Sequence, residues 1–168
     1  MKRILSSLNA MNMPMGPMPI VGIALSMIVG AAAGTAIAIA AKSTAVDPGC
    51  ITAGSVGKQM TNTLNADKAA ISRDQYNPSA KQADLQHLVA DLQSLQGQMT
   101  TAEAQATHQS VKAAIAALVS DLGTFSYSLQ AVENGDLSQV TQLATAASMT
   151  QSDGGGVQAS CTAVLPHP

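Results

Sequence analysis

The stretch from Ile20 to Ala41, IVGIALSMIVGAAAGTAIAIAA, is the feature that most constrains how this chain can fold. It is 22 residues long and contains neither a charged residue nor a proline. Because an α-helix rises 1.5 Å per residue, this length is about what a helix needs to cross the roughly 30 Å hydrocarbon core of a bilayer. We therefore predict a transmembrane helix over residues 20–41.

Small residues recur at every fourth position of this segment. They lie on one face of the predicted helix and comprise Gly22, Ser26, Gly30, Gly34 and Ala38. In lipid, helices associate through close van der Waals packing, which small residues at this spacing permit. The alternative is that Gly and Ala are simply common in membrane helices. The pattern favours packing on another membrane protein, or self-association.

The flanks of the segment predict its orientation. Lys2 and Arg3 precede it, and the positive-inside bias then places residues 1–19 in the cytoplasm and the rest of the chain outside the membrane. A cleaved secretory signal is the alternative, since the alanines around residues 38–40 resemble a cleavage site. The apolar run is longer than that of a usual signal peptide, so we favour an uncleaved signal anchor in a bacterial cell membrane.

Residues 1–19 form a leader rich in methionine and proline. Thioethers suit Cu(I), so a copper site is one interpretation of the four methionines in MNMPMGPM, which are Met11, Met13, Met15 and Met18. Three prolines prevent a regular helix there, and the simpler interpretation is an unstructured tail without a cofactor. The copper question stays open.

The two cysteines, Cys50 and Cys161, bracket a domain of residues 50–161 on one predicted side of the membrane. In an oxidising compartment such cysteines pair. Closing so long a loop restricts the unfolded chain by roughly 5 kcal/mol on the chain-entropy model. A metal or redox pair would need closer spacing or further ligands. We therefore predict a disulfide.

Between a linker (residues 42–49) and a tail (residues 162–168), apolar residues spaced three and four apart predict four helices. The first helix covers residues 52–72 and the second covers residues 79–98. The third helix begins at a capping box at residues 100–103 and ends at Asn134-Gly135. The fourth helix follows Asp136 and is interrupted by Gly154–Gly156. Short connections make consecutive helices antiparallel. The predicted fold is all-α: a transmembrane helix and an extracytoplasmic up-down-up-down four-helix bundle, with the disulfide at its membrane-proximal end.

Charge and motif content exclude several functions. From Lys42 onward the chain has six Lys or Arg and ten Asp or Glu residues, a formal charge of −4, so no basic stripe is available for nucleic acid. It also lacks a G-x-S-x-G motif, which argues against an enzyme. A metal site can be sketched from His87, Asp91 and His108, but His87 falls at an outer heptad position where a solvated histidine needs no ligand. We expect no metal.

The alanine-rich, lysine-poor composition resembles that of small one-span envelope proteins of high-GC bacteria. That resemblance implies a disulfide-closed helical bundle outside the membrane. We expect a non-enzymatic accessory or structural subunit that packs through its glycine face on a larger membrane protein complex or on itself. The alternative is an extracytoplasmic binding module, secreted or anchored, for a small ligand or metal.

Overall fold

The computed structural model describes residues 46–165. In that range the chain forms four α-helices and no strand, which confirms the all-helical prediction. The helices are α1 (Pro48–Arg73), α2 (Pro78–Gln105), α3 (Gln109–Glu133) and α4 (Val140–Ala163), with one 3₁₀ turn (Leu137–Gln139) before α4. None of these described helices combines the length and the apolarity that crossing a membrane requires. The predicted transmembrane segment, residues 20–41, lies outside the described residues.

Each helix packs mainly on the next one along the chain. The pairs α1 with α2, α2 with α3, and α3 with α4 are extensive, whereas contacts between α1 and α4 are sparse. The short connections make consecutive helices antiparallel. It is a row of three helical hairpins rather than a closed ring, and α1 meets α4 at the Cys50–Cys161 disulfide.

The apolar seams predicted for the second and third helices form the centre of the core. Phe125 is the largest side chain that is fully buried. The core residues of α2 and α3 that are at most 3% exposed include Leu88, Leu92, Leu95, Met99, Val111, Ile115, Leu118, Leu122, Leu129 and Val132. On α4 the spacing predicts an apolar face of Val140, Leu143, Ala144 and Ala147; Leu143 and Ala147 are buried, but Ala144 is exposed and Ala146 is buried instead.

The predicted capping box at residues 100–103 is wrong, because α2 continues through it to Gln105. The hydroxyls of Thr100 and Thr101 donate to the carbonyls of the residues four positions earlier instead of capping a new helix. Ala102 is completely buried and extends the apolar seam. Burial of that extra turn outweighs a local capping signal. The break comes at residues 106–108, with His108 as the N-cap of α3.

The predicted interruption at Gly154–Gly156 is also wrong, since α4 runs straight through these glycines. Each glycine in a helix interior costs about 1 kcal/mol relative to alanine. Gly154 and Val157 are nevertheless buried, and Cys161 is held by the disulfide one turn further on. Tertiary packing therefore maintains a helix that local propensity alone would end.

Local sequence signals mark several helix ends. The side chain of Asn77 caps α2 and Pro78 occupies its first turn. Gly135 has a φ of +92°, a conformation that favours glycine, where α3 ends. The first helix begins earlier than predicted, at Pro48, so the expected linker ends at Asp47, which is the N-cap of α1.

Candidate functional site

The structure confirms the predicted disulfide between Cys50, in the first turn of α1, and Cys161, in the last turn of α4. Their Cα atoms are 5.7 Å apart and both side chains are buried. The bond closes a separation of 111 residues. It therefore joins the first and last helices of the bundle at one end.

Asp47 adds a second connection at the same end. One carboxylate oxygen, Oδ1, accepts a hydrogen bond from the backbone N–H of Gly49 at 2.8 Å and so caps α1. The other, Oδ2, accepts from the backbone N–H groups of Thr107 and His108 at 3.0 and 2.8 Å, and from the Thr107 hydroxyl at 2.9 Å. Nδ1 of His108 also lies 2.8 Å from Oδ2. One side chain thus ties the start of α1 to the turn between α2 and α3.

The Asp47 side chain is almost completely buried, which by itself would disfavour its charge. The hydrogen bonds from His108 and Thr107 outweigh that burial and lower the pKa of Asp47 from 3.8 to about 2. The carboxylate is therefore ionised at neutral pH.

Together these residues form what we call the basal clamp, which consists of Asp47, Cys50, Thr107, His108 and Cys161. It fixes α1, α4 and the α2–α3 turn where the described chain begins. The Asp47-Pro48 pair is a recognisable helix-start signal in the sequence, since Asp favours the N-cap and Pro the first turn. The contact of Asp47 with residues 107 and 108 has no local signal.

A second polar cluster lies between α1 and α2, nearer the other end of the bundle. Nδ1 of His87 is 3.2 Å from Oδ1 of Asp67 and 3.3 Å from Oδ2 of Asp91. The three ligand atoms all lie within 4.8 Å of one another. Asp67 is 5% exposed, whereas the His87 side chain is 68% exposed. We call these three residues the α1–α2 cluster.

The surroundings of Asp67 favour its neutral form. Burial raises the pKa of Asp67, as do the carboxylates of Asp91 and Asp84, and the hydrogen bond to His87 opposes them. Its Oδ2 atom is buried and accepts no hydrogen bond from any residue in the described range. An unsatisfied buried carboxylate oxygen is costly, so this atom calls for an explanation.

The metal set sketched from sequence, His87, Asp91 and His108, is not brought together. His108 lies at the basal clamp against Asp47, and Asp67 takes the third place beside His87. The sequence did contain a signal for Asp67: it falls between Leu64 and Ile71 at helical spacing, so a carboxylate occupies a position of the apolar seam.

A third polar contact lies between α3 and α4. Asp121 is 7% exposed, and burial raises its pKa, with the neighbouring Asp153 carboxyl raising it further. Two acidic groups between packed helices disfavour double ionisation. Ionisation of both groups therefore opposes the packing of α3 on α4.

Other candidate residues named from sequence lie outside the described range. They are the small residues of the predicted transmembrane face, Gly22, Ser26, Gly30, Gly34 and Ala38, and the leader methionines Met11, Met13, Met15 and Met18. No protein-family model, curated protein or solved structure matches this chain.

Proposed function

We propose that this chain is a non-enzymatic, single-span accessory subunit of a bacterial cell envelope. A helix over residues 20–41 anchors it, and the helical bundle lies outside the cytoplasm. The small-residue face of the anchor packs on a larger membrane protein or on a second copy of the chain.

The basal clamp is the observation that carries this proposal. A disulfide persists in an oxidising compartment, in agreement with a bundle outside the cytoplasm. The clamp also lies where the described chain continues toward the apolar segment, and it connects α1 with α4 and with the α2–α3 turn. Force on the anchor would therefore reach the whole bundle rather than unravel α1 alone.

The character of the bundle surface supports a structural role. Its large exposed apolar side chains are scattered over different helices and loops: Ile51, Tyr76, Tyr127, Leu137 and Met149. Exposed apolar residues that stand singly are normal on protein surfaces. Partner binding is therefore assigned to the anchor rather than to the described surface.

The test is replacement of Gly30 and Gly34 together by leucine. The matched control is Ala32→Leu with Ala36→Leu, which adds the same bulk to the opposite face of the predicted helix. Each protein, tagged at the C-terminus, is purified from its own membranes in mild detergent and analysed by native mass spectrometry. The proposal predicts that the glycine pair loses its stoichiometric partner and that the alanine pair keeps it. Retention of the partner by both would show that this face is not the contact.

A further inference from the structure

We propose that Asp67, His87 and Asp91 form a binding site for a divalent transition-metal ion of the zinc type. This assignment is independent of the membrane anchor, because all three residues belong to the α1–α2 hairpin. It also adds a site that the sequence pattern alone did not assemble.

The spacing of the three ligand atoms fits one small ion. Zinc bonds to histidine nitrogen and carboxylate oxygen are about 2.0–2.2 Å, so neighbouring ligands of a tetrahedral shell lie about 3.3–3.6 Å apart. The distances from His87 Nδ1 to the Asp67 and Asp91 oxygens, 3.2 and 3.3 Å, are already close to this range. A carboxylate oxygen of Asp67 and one of Asp91 lie within 4.8 Å of each other, so only a small side-chain adjustment is needed.

The helices hold the ligands in place. His87 and Asp91 are four residues apart on α2, a spacing that puts both side chains on one face of a helix. Asp67 approaches that face from α1, which packs antiparallel to α2. Ligands on two packed helices hold their positions better than ligands on loops.

The hydrogen bonds within the α1–α2 cluster do not satisfy all of its carboxylate oxygens. The Nδ1 atom of His87, which can carry only one proton, faces two carboxylate oxygens at similar distances. The Oδ2 atom of Asp67, buried on the same carboxylate, has no donor among residues 46–165. The Asp84 carboxylate adds negative charge nearby, and its own Oδ2 is also buried without a donor in that range. A divalent cation would neutralise this charge and give the buried carboxylate a strong ligand bond.

The donor set points to the class of ion. Imidazole nitrogen with carboxylate oxygen suits Zn²⁺ and its first-row neighbours. Calcium takes six to eight oxygen ligands and magnesium keeps an octahedral shell, more oxygens than these side chains supply. The exposed His87 side chain leaves an entry path and room for water at the remaining position.

The test is zinc binding by the full-length chain, purified in mild detergent with a histidine-free tag and stripped with chelator. Zn²⁺ is the probe because thioether sulfurs, such as those of the leader, prefer Cu(I). Isothermal titration of ZnCl₂ is expected to show one ion per chain. Co²⁺ in the same protein is expected to give the visible absorption of a four-coordinate nitrogen and oxygen site.

The variants are His87→Ala and Asp67→Asn. Loss of an outer-shell partner alone weakens metal binding by about 10–100-fold, so loss of a direct ligand should weaken it by more than about 100-fold. The matched control is His108→Ala, which also removes a half-exposed histidine beside an aspartate, but at the basal clamp. It should leave the zinc affinity unchanged.

The outcomes are distinct. Zinc uptake that is lost in His87→Ala and kept in His108→Ala supports the site. No saturable uptake by the wild-type chain, or uptake that His87→Ala leaves intact, overturns it and makes the cluster a structural ion pair. Circular dichroism checks folding, and because His87 is mostly exposed, its variant remains decisive even if Asp67→Asn unfolds. The zinc result does not depend on whether the Gly30 and Gly34 variant keeps its partner, so failure of the metal site and failure of the proposed function can be told apart.

Discussion

The carboxylate of Asp47 lies 2.8 Å from both the backbone nitrogen and the imidazole Nδ1 of His108, a residue 61 positions along the chain. The same carboxylate caps α1 through Gly49. A helix cap is ordinarily a local device, but here it also joins two hairpins. The stability of the bundle and its dependence on pH therefore both involve this buried side chain.

Replacing Asp47 by asparagine keeps the shape of the side chain but removes its charge. Since charged hydrogen bonds contribute more than neutral ones, we expect the free energy of unfolding to fall by about 2–3 kcal/mol. Denaturant titration followed by circular dichroism measures this. The control is Asp136→Asn at an exposed cap on Ser138, where we expect a loss below about 1 kcal/mol. Equal losses in the two variants would contradict a tertiary role for Asp47.

Acid should weaken the same link. The pKa of Asp47 is lowered from 3.8 to about 2 in the folded protein, so its stabilisation is complete above about pH 4. That stabilisation is lost as the pH falls toward 2, and a shift of this size corresponds to about 2 kcal/mol. Unfolding titrations between pH 5 and pH 2 should show a steeper decline for wild type than for Asp47→Asn. Parallel pH curves would show that this carboxylate does not control acid stability.

Two helical glycines should respond in opposite directions to alanine. A Cβ on Gly49 would lie 2.7 Å from the Cβ of Ala106 and 2.8 Å from the carbonyl oxygen of Ala102. Gly49→Ala should therefore cost about 1–3 kcal/mol through overpacking. A Cβ on Gly155 meets no heavy atom within 4 Å, so Gly155→Ala should stabilise α4 by up to about 1 kcal/mol. Thermal unfolding of both variants is the measurement, and a stabilised Gly49→Ala would show that the helices can move apart there.

Removing the disulfide should cost more than removing any one hydrogen bond. Contacts between α1 and α4 are otherwise sparse, and the bond spans 111 residues. The chain-entropy model gives a loss of roughly 5 kcal/mol for Cys50→Ala with Cys161→Ala. The denaturation midpoint of this variant should be low and insensitive to dithiothreitol, whereas that of wild type should fall to it on reduction. A midpoint close to that of oxidised wild type would show that packing, rather than the disulfide, keeps α1 and α4 together.

Neutralising Asp121 should stabilise the protein at neutral pH. Burial and the Asp153 carboxyl raise the pKa of Asp121 in the folded state, so its ionised form opposes folding. Asp121→Asn should therefore raise the free energy of unfolding at pH 7. Wild-type stability gains from protonation of Asp121 as the pH falls through its raised pKa, so the advantage should shrink near pH 4. A constant difference across this range would contradict the charge explanation.

The features that the sequence predicts correctly are those whose residues act within one helix or one turn. The seam from Val111 to Val132 is buried as its spacing predicts, because each apolar residue falls on the same side of a 3.6-residue helix. Asn77-Pro78 and Gly135 mark helix ends because they act on the backbone of their own turn. The cysteines follow from topology, since an even number of antiparallel helices returns the chain to its starting end.

Tertiary structure decided the features that depend on how the helices meet. The helix α2 continues through Thr100 and Thr101, and α4 continues through its three glycines, because buried packing outweighs local propensity. Tertiary structure also placed Asp67 rather than His108 beside His87. Periodicity fixes which face of a helix is apolar, but the rotation and register between two helices depend on side-chain packing along the whole interface. Contacts between distant polar groups, such as Asp47 with His108, are set only when that packing is complete.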